Sequence, residues 1–361
     1  MIQALFSLLS RIFPVRPASH DPRRIVLILP CCIGDVVLAT ATLQAFRRAY
    51  PEAYIAWAVG SWSKPAIEHH PLLDAVIDTG ADALPVKSLS GMRHFVGQLR
   101  AGNFDLAVSL VRSPLMSIAV LLSGIPNRAG IDSGGRGFGY TMRAKIDPNV
   151  PRHEAEIYLD VARALGIDAA NCRANIPVNV VDQAAIRDKL HARGIAEDYL
   201  VINPAGGRNP GMVLDVKRWP AANFAALANR FDLSVVLIGG KGDEALVEAV
   251  KSQLTVPVAA FIGELSFGEI AALAREAKLY VGNDTGLTHL VAAAGAKTVM
   301  ILGPSDPKRY APFADHALAL WKPTAVQASG VAGGAPADWY WSRDGIGVDE
   351  AEQQILGWLD G

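Results

Sequence analysis

The sequence has few of the features that mark disulfide-rich, nucleic-acid-binding or membrane-spanning proteins. It contains 3 cysteines in 361 residues and no CxxC pair, which excludes a disulfide framework and argues against a zinc site. The formal net charge is −1, so overall charge gives no basis for binding nucleic acid. A chain that is 51% hydrophobic and 19% charged is typical of a folded α/β protein. The low cysteine content predicts a reducing, cytoplasmic location.

Two of the cysteines, Cys31 and Cys32, are neighbours in the sequence. Adjacent side chains in an extended segment point in opposite directions, so we expect these two neither to form a disulfide nor to share a metal ion. We therefore expect them to be ordinary packing residues and predict no metal site.

The N-terminal segment, residues 1–20, contains the one feature related to membranes. Its apolar run is interrupted by Arg11 and stopped by Pro14, far short of the roughly 20 residues that a spanning helix needs. An amphipathic helix at a membrane surface and a helix packed on the protein's own surface are equally consistent with this pattern. The apolar positions at helical spacing are Leu5, Leu8, Leu9 and Ile12.

From Arg24 onward, β-rich runs alternate with helical segments, which is the pattern of parallel sheets covered by helices. The same alternation begins again near Asp182, and the length of the chain also favours two domains. We predict an α/β fold with two Rossmann-like domains, residues 21–178 and 179–345, whose parallel sheets face each other across a cleft. A C-terminal helix in residues 346–361 is expected to dock on one of the two halves. The Gly/Arg-rich stretch from Ser123 to Pro151 is predicted to be loop.

Three strand-to-helix turns carry residues suited to ligand binding, and the first is the turn with Gly34 and Asp35. The glycine permits a tight turn, and Asp35 is expected at the N-cap of a helix that runs to Ala49. The turn is not a GxGxxG sequence, which argues against a dinucleotide site of the usual kind. On its own, Asp35 is better explained as a helix cap than as a catalytic group.

The second turn is Asp284-Thr285-Gly286, which opens a helix directly after a strand. Free backbone N–H groups and the helix dipole favour a phosphate at such a position. His289 lies one turn further along the same helix face. Together these residues indicate a ligand site.

The third turn contains Gly206 and Gly207 after a strand, and Lys217 follows shortly before the next helix. Glycines expose backbone donors, and Lys217 supplies a compact positive charge for a phosphate. A surface loop with solvated basic side chains explains this segment equally well.

Four sequence motifs, taken in their order along the chain, resemble the ADP-heptose:lipopolysaccharide heptosyltransferase family. They are GDVVLAT after the first strand, KRWP before the first helix of the second half, NDTGLTHL and GPSDP. The family is glycosyltransferase family 9, whose members have the GT-B fold. The resemblance covers about residues 24–312, and the DTGxxH block together with GPSDP is its most specific part. It implies transfer of heptose from ADP-heptose to a lipid-linked acceptor, with inversion at the anomeric carbon and without a metal or cofactor.

The resemblance also implies roles for individual residues. Asp35 matches the proposed catalytic aspartate, and Lys217 matches the diphosphate-binding lysine. Asp243 and Glu244 stand where an acidic residue often holds the ribose, and Leu265 stands where a side chain commonly packs on adenine. The remaining residues assigned to the nucleotide-sugar are Gly206, Gly207, Asp284, Thr285, Gly286 and His289.

Three departures from the family pattern leave the donor sugar and the acceptor open, and one of them is the loop from Arg208 to Val216, which is longer than the family pattern predicts. The glycine pair replaces hydroxyl-bearing residues, so its phosphate contacts would come from the backbone alone, and Pro30-Cys31-Cys32 replaces more polar residues. The alternatives are another GT-B enzyme that uses a UDP-sugar, either a transferase or an epimerase, and an inactive transferase-like binding protein. Four arginines in the N-terminal half are candidates for contacts with an anionic acceptor, or else are solvated loop residues: Arg112, Arg128, Arg136 and Arg143.

Overall fold

The computed structural model describes Val15 and residues 21–195, 198–209, 212–324 and 338–360. It divides the chain into two compact units, Met1–Ala174 and Asn175–Gly361, so the division falls slightly before the predicted boundary between residues 178 and 179. The helix predicted within residues 1–20 lies outside the described residues. Within the described ranges, no helix has the length and apolar character needed to cross a bilayer.

The first unit is built on one sheet of six strands in the order β3-β2-β1-β4-β5-β6, and every neighbouring pair is parallel. The strands are β1 (Arg24–Ile28), β2 (Tyr54–Val59), β3 (Ala75–Asp78), β4 (Leu106–Ser109), β5 (Asn127–Ser133) and β6 (Met142–Ile146). The helices are α1 (Ile33–Ala49), α2 (Leu89–Ala101), α3 (Pro114–Leu122) and α4 (Glu154–Arg163), with a 3-10 turn at Lys64–Ala66.

The second unit repeats this plan with the order β11-β10-β7-β12-β13-β14, again parallel throughout. Its strands are β7 (Tyr199–Asn203), β10 (Ser234–Gly239), β11 (Val258–Ile262), β12 (Leu279–Asn283), β13 (Thr298–Ile301) and β14 (Ala317–Leu320), beside the small antiparallel pair β8 (Arg208–Asn209) and β9 (Met212–Val213). Its helices are α5 (Val180–His191), α6 (Ala221–Ala228), α7 (Glu244–Lys251), α8 (Phe267–Glu276), α9 (Gly286–Ala293), α10 (Pro307–Tyr310), α11 (Trp341–Asp344) and α12 (Val348–Leu359), with a 3-10 turn at Asp215–Lys217.

Each unit has its own apolar core, which explains why the central strands read as continuous apolar runs. In β1, Ile25, Val26, Leu27 and Ile28 are fully buried because helices cover both faces of a parallel sheet. The C-terminal helix α12 docks within the second unit, where it packs on α6 and β14 and buries Ala351 and Ile355.

Two predictions about the secondary structure of the first unit are wrong. The stretch between Ser123 and Pro151 is not a loop, because it contains β5 and β6, which continue the sheet beyond β4. Arg128, Arg143 and Lys145 are partly or fully exposed and Asp132 is buried, so charged residues interrupt the apolar run that marks a central strand. Helix α1 begins at Ile33 rather than at Asp35, and Cys32 is its N-cap residue.

Candidate active site

Both sheets have a point where the direction of the strand order reverses. In the first unit it lies between β1 and β4, and in the second between β7 and β12. Ligands of open parallel sheets bind beyond the carboxyl ends of the strands at such a point. The first two predicted turns follow β1 and β12, and the glycine turn follows β7, so each lies at a reversal point.

Asp35 lies at the reversal point of the first unit, in the first turn of α1. It is half-buried, and the hydroxyl of Tyr158 on α4 donates a hydrogen bond of 2.8 Å to its Oδ1 atom. Since Cys32 is the N-cap residue, the prediction that Asp35 caps this helix is wrong. A carboxylate in the first turn still faces the positive end of the helix dipole.

A buried network extends from Asp35 through helix α4. Tyr158 is 4% exposed, and Glu154, at 2%, forms an ion pair with Arg112 in the loop after β4. Burial raises the pKa of Tyr158 well above its usual value, and the nearby carboxylates of Asp35 and Glu154 raise it further. Burial opposes the charge of Arg112, but Glu154, Tyr158 and Asp35 together raise its pKa. Sequence reasoning missed Tyr158 and Glu154, although apolar residues at helical spacing follow His153.

Cys31 and Cys32 are joined by a disulfide, so the prediction that they form no bridge is wrong. That prediction assumed an extended strand, whereas the two residues lie in the turn between β1 and α1. The sulfurs lie near Asp35, and these three residues are the one group in the described chain that could offer three metal ligands. A sulfur in a disulfide cannot form the thiolate that binds a metal ion, so these two cysteines could act as ligands only after reduction.

The reversal point of the second unit contains a buried ion pair. Lys217 Nζ lies 2.6 Å from Asp284 Oδ2, and the two side chains are 17% and 6% exposed. Burial alone would raise the pKa of Asp284, but Lys217, His289 and a hydrogen bond with Ser305 hold it below its usual value. Ser305 belongs to the GPSDP motif, and this hydrogen bond connects that motif to the site.

Thr285 and Gly206 bring the loops after β12 and β7 into contact. Thr285 is the N-cap residue of α9, and its hydroxyl accepts from the backbone N–H of Thr288. Gly206 has a φ of +134°, and a Cβ atom added to it would lie 2.0 Å from Thr285 Cγ2. A glycine is therefore required here for a steric and a conformational reason. Gly207, with φ of +69°, approaches the carbonyl oxygen of Leu214 in the same way.

Asn283, which the sequence analysis did not select, holds the three segments of this site together. It is fully buried at the end of β12, and its Nδ2 atom donates to the carbonyl oxygens of Pro204 and Ala205 after β7. Its Oδ1 atom accepts from the backbone N–H of Trp219, two residues after Lys217. A buried amide that uses both of its ends fixes the positions of the loops around it.

The residues predicted to contact the nucleoside lie at the same edge of the second sheet. Asp243 follows β10 and accepts a hydrogen bond of 2.9 Å from the backbone N–H of Gly240, whereas Glu244 is exposed. A backbone hydrogen bond from Gly242 lowers the pKa of Glu244. Leu265 is half-buried in the loop after β11. His289 is buried on α9, and its electrostatic interaction with Asp284 lowers the pKa of that carboxyl.

The four candidate acceptor arginines have different surroundings. Arg128 and Arg143 donate to backbone carbonyls around the β5–β6 segment, among them Gly139 and Phe138 respectively. Arg112 is bound to Glu154 beside Asp35, and Arg136 is exposed in the turn between β5 and β6. A role in binding an acceptor stays a prediction for all four.

Two Rossmann-like units with the same strand order, each with polar residues at its reversal point, are the architecture of the GT-B fold. The family model "Glycosyltransferase family 9 (heptosyltransferase)" matches residues 92–332. The sequence is 25% identical over 297 residues to lipopolysaccharide heptosyltransferase 3 of Escherichia coli, which covers 80% of this chain and 86% of that relative.

Solved structures agree with this result. A family 9 glycosyltransferase from Veillonella parvula DSM 2008 superposes with a TM-score of 0.74 at 25% identity, covering 84% of this chain and 87% of that one. E. coli ADP-heptose lps heptosyltransferase II has the same fold, with a TM-score of 0.71 at 21% identity, and covers 93% and 98% of the two chains. The chain belongs to glycosyltransferase family 9, the heptosyltransferase family, and is a glycosyltransferase.

Proposed function

We propose that this protein transfers a heptose from ADP-heptose to a sugar of the lipopolysaccharide core, with inversion and without a metal ion. The observation that carries the proposal is the Lys217–Asp284 ion pair at the reversal point of the second unit, beside the start of α9. The names of the relatives support the sugar and the acceptor, since they describe lipopolysaccharide heptosyltransferases and an ADP-heptose enzyme.

In this proposal the second unit binds the donor. An ammonium group has three N–H donors, so Lys217 can bind a diphosphate oxygen while one N–H stays directed at Asp284. The backbone N–H groups at the start of α9 add donors for the leaving ADP, as does the exposed backbone at Gly206. Asp243 is assigned to the ribose and Leu265 to the adenine.

The first unit supplies the general base. The acceptor hydroxyl oxygen attacks the anomeric carbon, the bond from that carbon to the diphosphate oxygen breaks, and Asp35 receives the hydroxyl proton. ADP leaves with the bonding electrons, and the configuration at the anomeric carbon inverts. Arg112 and Arg136 are assigned to an anionic group of the acceptor.

The acceptor that this proposal implies is anchored in a lipid, and nucleotide-sugars are cytoplasmic metabolites. We therefore assign the protein to the cytoplasm, at the cytoplasmic face of the inner membrane. Peripheral contact with that membrane by residues 1–20 belongs to the same proposal. Vesicle sedimentation of the full chain and of a chain lacking residues 1–17 tests it: equal binding would contradict a membrane role for this segment.

Nucleotide binding is the first test of the donor assignment. Calorimetry should show binding of ADP and much weaker binding of UDP and NADH, and ADP at 100 times its dissociation constant should add about 2.7 kcal/mol to the free energy of unfolding. A preference for UDP would favour the alternative UDP-sugar enzyme. Failure of millimolar ADP to raise the melting temperature would contradict the donor assignment.

Transfer is the second test. Incubation with ADP-heptose and a heptose-deficient lipopolysaccharide core should release ADP and extend the core by one sugar, and EDTA should not reduce the rate. Tight ADP binding without transfer would identify an inactive, transferase-like binding protein. Loss of transfer in EDTA, restored by a divalent cation, would contradict the metal-independent mechanism.

A further inference from the structure

The hydroxyl of Tyr158 reaches Asp35 from a different helix. Tyr158 lies on α4, which packs against α1, and its hydroxyl donates to Asp35 Oδ1 over 2.8 Å. The tyrosine ring is 4% exposed, so the hydroxyl is held in one place by the surrounding core. A buried tyrosine hydroxyl ordinarily has a hydrogen-bond partner, and here that partner is the carboxylate at the reversal point.

The charged groups around this bond keep the tyrosine protonated. Burial is the main cause that raises the pKa of Tyr158 well above its usual value. The charges of Asp35 and Glu154 raise this pKa further, whereas the charge of Arg112 lowers it. Glu154 is itself held by its ion pair with Arg112. The hydroxyl therefore stays a donor across the pH range in which enzymes work, and it does not compete with Asp35 as a base.

We propose that Tyr158 is a positioning residue that fixes the Asp35 carboxylate for proton transfer, supported by the Glu154–Arg112 pair. This inference rests on the proposed function, because it requires Asp35 to be the general base. The hydrogen bond from Tyr158 to Oδ1 fixes the orientation of the carboxylate in the turn. Because α1 and α4 are packed together, this orientation exists before substrate binds.

If Tyr158 positions Asp35, its removal changes the pH dependence of transfer, which the loss of a purely structural tyrosine would not do. A donor to a carboxylate stabilises its ionised form, which is the form that acts as a base. Removing the donor makes Asp35 easier to protonate, so the acid limb of the pH–rate profile moves to higher pH. Glu154 on α4 and Arg112 after β4, whose charges act on Tyr158, stay unchanged in the variant described next.

The test compares Tyr158→Phe with Tyr140→Phe. Tyr140 is also buried in the first unit, and its hydroxyl donates over 2.8 Å to Ser109, so it is a matched control for loss of a buried hydroxyl. In Tyr158→Phe we expect kcat to fall about tenfold with KM for ADP-heptose unchanged, and the acid limb to move up by about one pH unit. In Tyr140→Phe, kcat and the acid limb should match the unaltered protein.

A second measurement does not depend on turnover. Carbon-13 NMR of labelled aspartate carboxyls, with the Asp35 signal assigned by its loss in Asp35→Asn, should show Asp35 protonating at higher pH in Tyr158→Phe. An unchanged Asp35 titration and acid limb would overturn the inference, even if kcat fell. If Asp35→Asn abolishes transfer and Tyr158→Phe behaves like the control, only the role of Tyr158 is overturned. Near-normal transfer by Asp35→Asn would instead show that Asp35 is not the general base, which contradicts the proposed function.

Discussion

Lys217 Nζ and Asp284 Oδ2 lie 2.6 Å apart although 67 residues separate them in the chain, and both side chains are largely buried. An ion pair of this kind loses hydration on both sides, so each partner depends on the other to stay charged. The same lysine is assigned to the donor's diphosphate. Its removal is therefore expected to affect both the stability of the second unit and nucleotide binding.

The first prediction concerns Lys217→Met. The change leaves a buried carboxylate without its cation, and we expect a loss of about 3–5 kcal/mol in the free energy of unfolding by urea titration. The double variant Lys217→Met with Asp284→Asn should recover part of this loss, while ADP binding stays weak. Lys278→Met is the control, because its pair with Asp198 is exposed and should contribute about 0–1 kcal/mol. Equal effects of the two lysine changes would contradict a buried pair.

The second prediction is a pH dependence from Asp284. Its pKa is lowered in the folded protein, so the stability it contributes is present above the unfolded-state pKa of about 3.9 and is lost as pH falls through the folded value. At pH 6 the free energy of unfolding should therefore be larger for the unaltered protein than for Asp284→Asn. This difference in free energy should shrink below about pH 4. Urea unfolding at several pH values measures it, and a difference that is constant with pH would contradict the shift.

The third prediction separates catalysis from helix capping at Asp35. Since Cys32 is the N-cap residue, Asp35→Asn should change stability by no more than about 1 kcal/mol through the helix dipole. Transfer should fall about 10²–10⁴-fold, with ADP affinity unchanged because the donor residues belong to the other unit. Asp105→Asn is the control: Asp105 lies just before β4, at the opposite end of the strands from Asp35, and accepts hydrogen bonds from the backbone N–H groups of Arg23 and Arg24. Near-normal transfer by Asp35→Asn would rule out the general base.

The fourth prediction concerns Gly206→Ala. The new methyl group would meet Thr285 Cγ2, and the backbone conformation is unfavourable for alanine, so we expect lower stability and ADP binding weakened at least tenfold. Gly295→Ala is the control, because it also has a positive φ but open space around it, and should lose only about 1–2 kcal/mol. Adding Thr285→Ser removes Cγ2 while keeping the capping hydroxyl, and should partly restore ADP binding. No restoration would mean that backbone strain alone causes the loss.

The fifth prediction is a count of thiols. Unfolded without reductant, the protein should take up one alkylating group, at Cys172, because Cys31 and Cys32 are joined. After reduction it should take up three, and peptide mass spectrometry would locate them. Cys172→Ser should lower each count by one. Three labels without reduction would show that the adjacent cysteines are thiols.

Much of the fold could be predicted from the sequence because central parallel strands are buried on both faces. The run Tyr54–Val59, which forms β2, is an example: Ile55 to Val59 are buried, and Gly60 ends the run. The turns that follow such strands were found for the same reason, and those at Asp35, Gly206 and Asp284 lie at the two reversal points.

The parts that the sequence did not predict depend on position in the sheet or on distant contacts. Strand β6 lies at an edge, so Arg143 and Lys145 interrupt its apolar pattern and its periodicity resembles that of a loop. The bond between Tyr158 and Asp35 joins residues 123 apart, and no local spacing indicates it. Helix α4 was missed although its buried positions, among them Ala155, Tyr158 and Ala162, have helical spacing.

The identical strand order of the two units has a consequence for how specificity can change. Each unit has a separate set of loops at its own reversal point, so under the proposed function substitutions after β1 and β4 would alter contacts with the acceptor and leave the donor contacts after β7 and β12 intact. Recognition of the sugar acceptor and recognition of the nucleotide can then diverge independently during evolution. Exchanging the loops of one unit between relatives is accordingly a practical way to redirect the enzyme to a new acceptor while it keeps its donor.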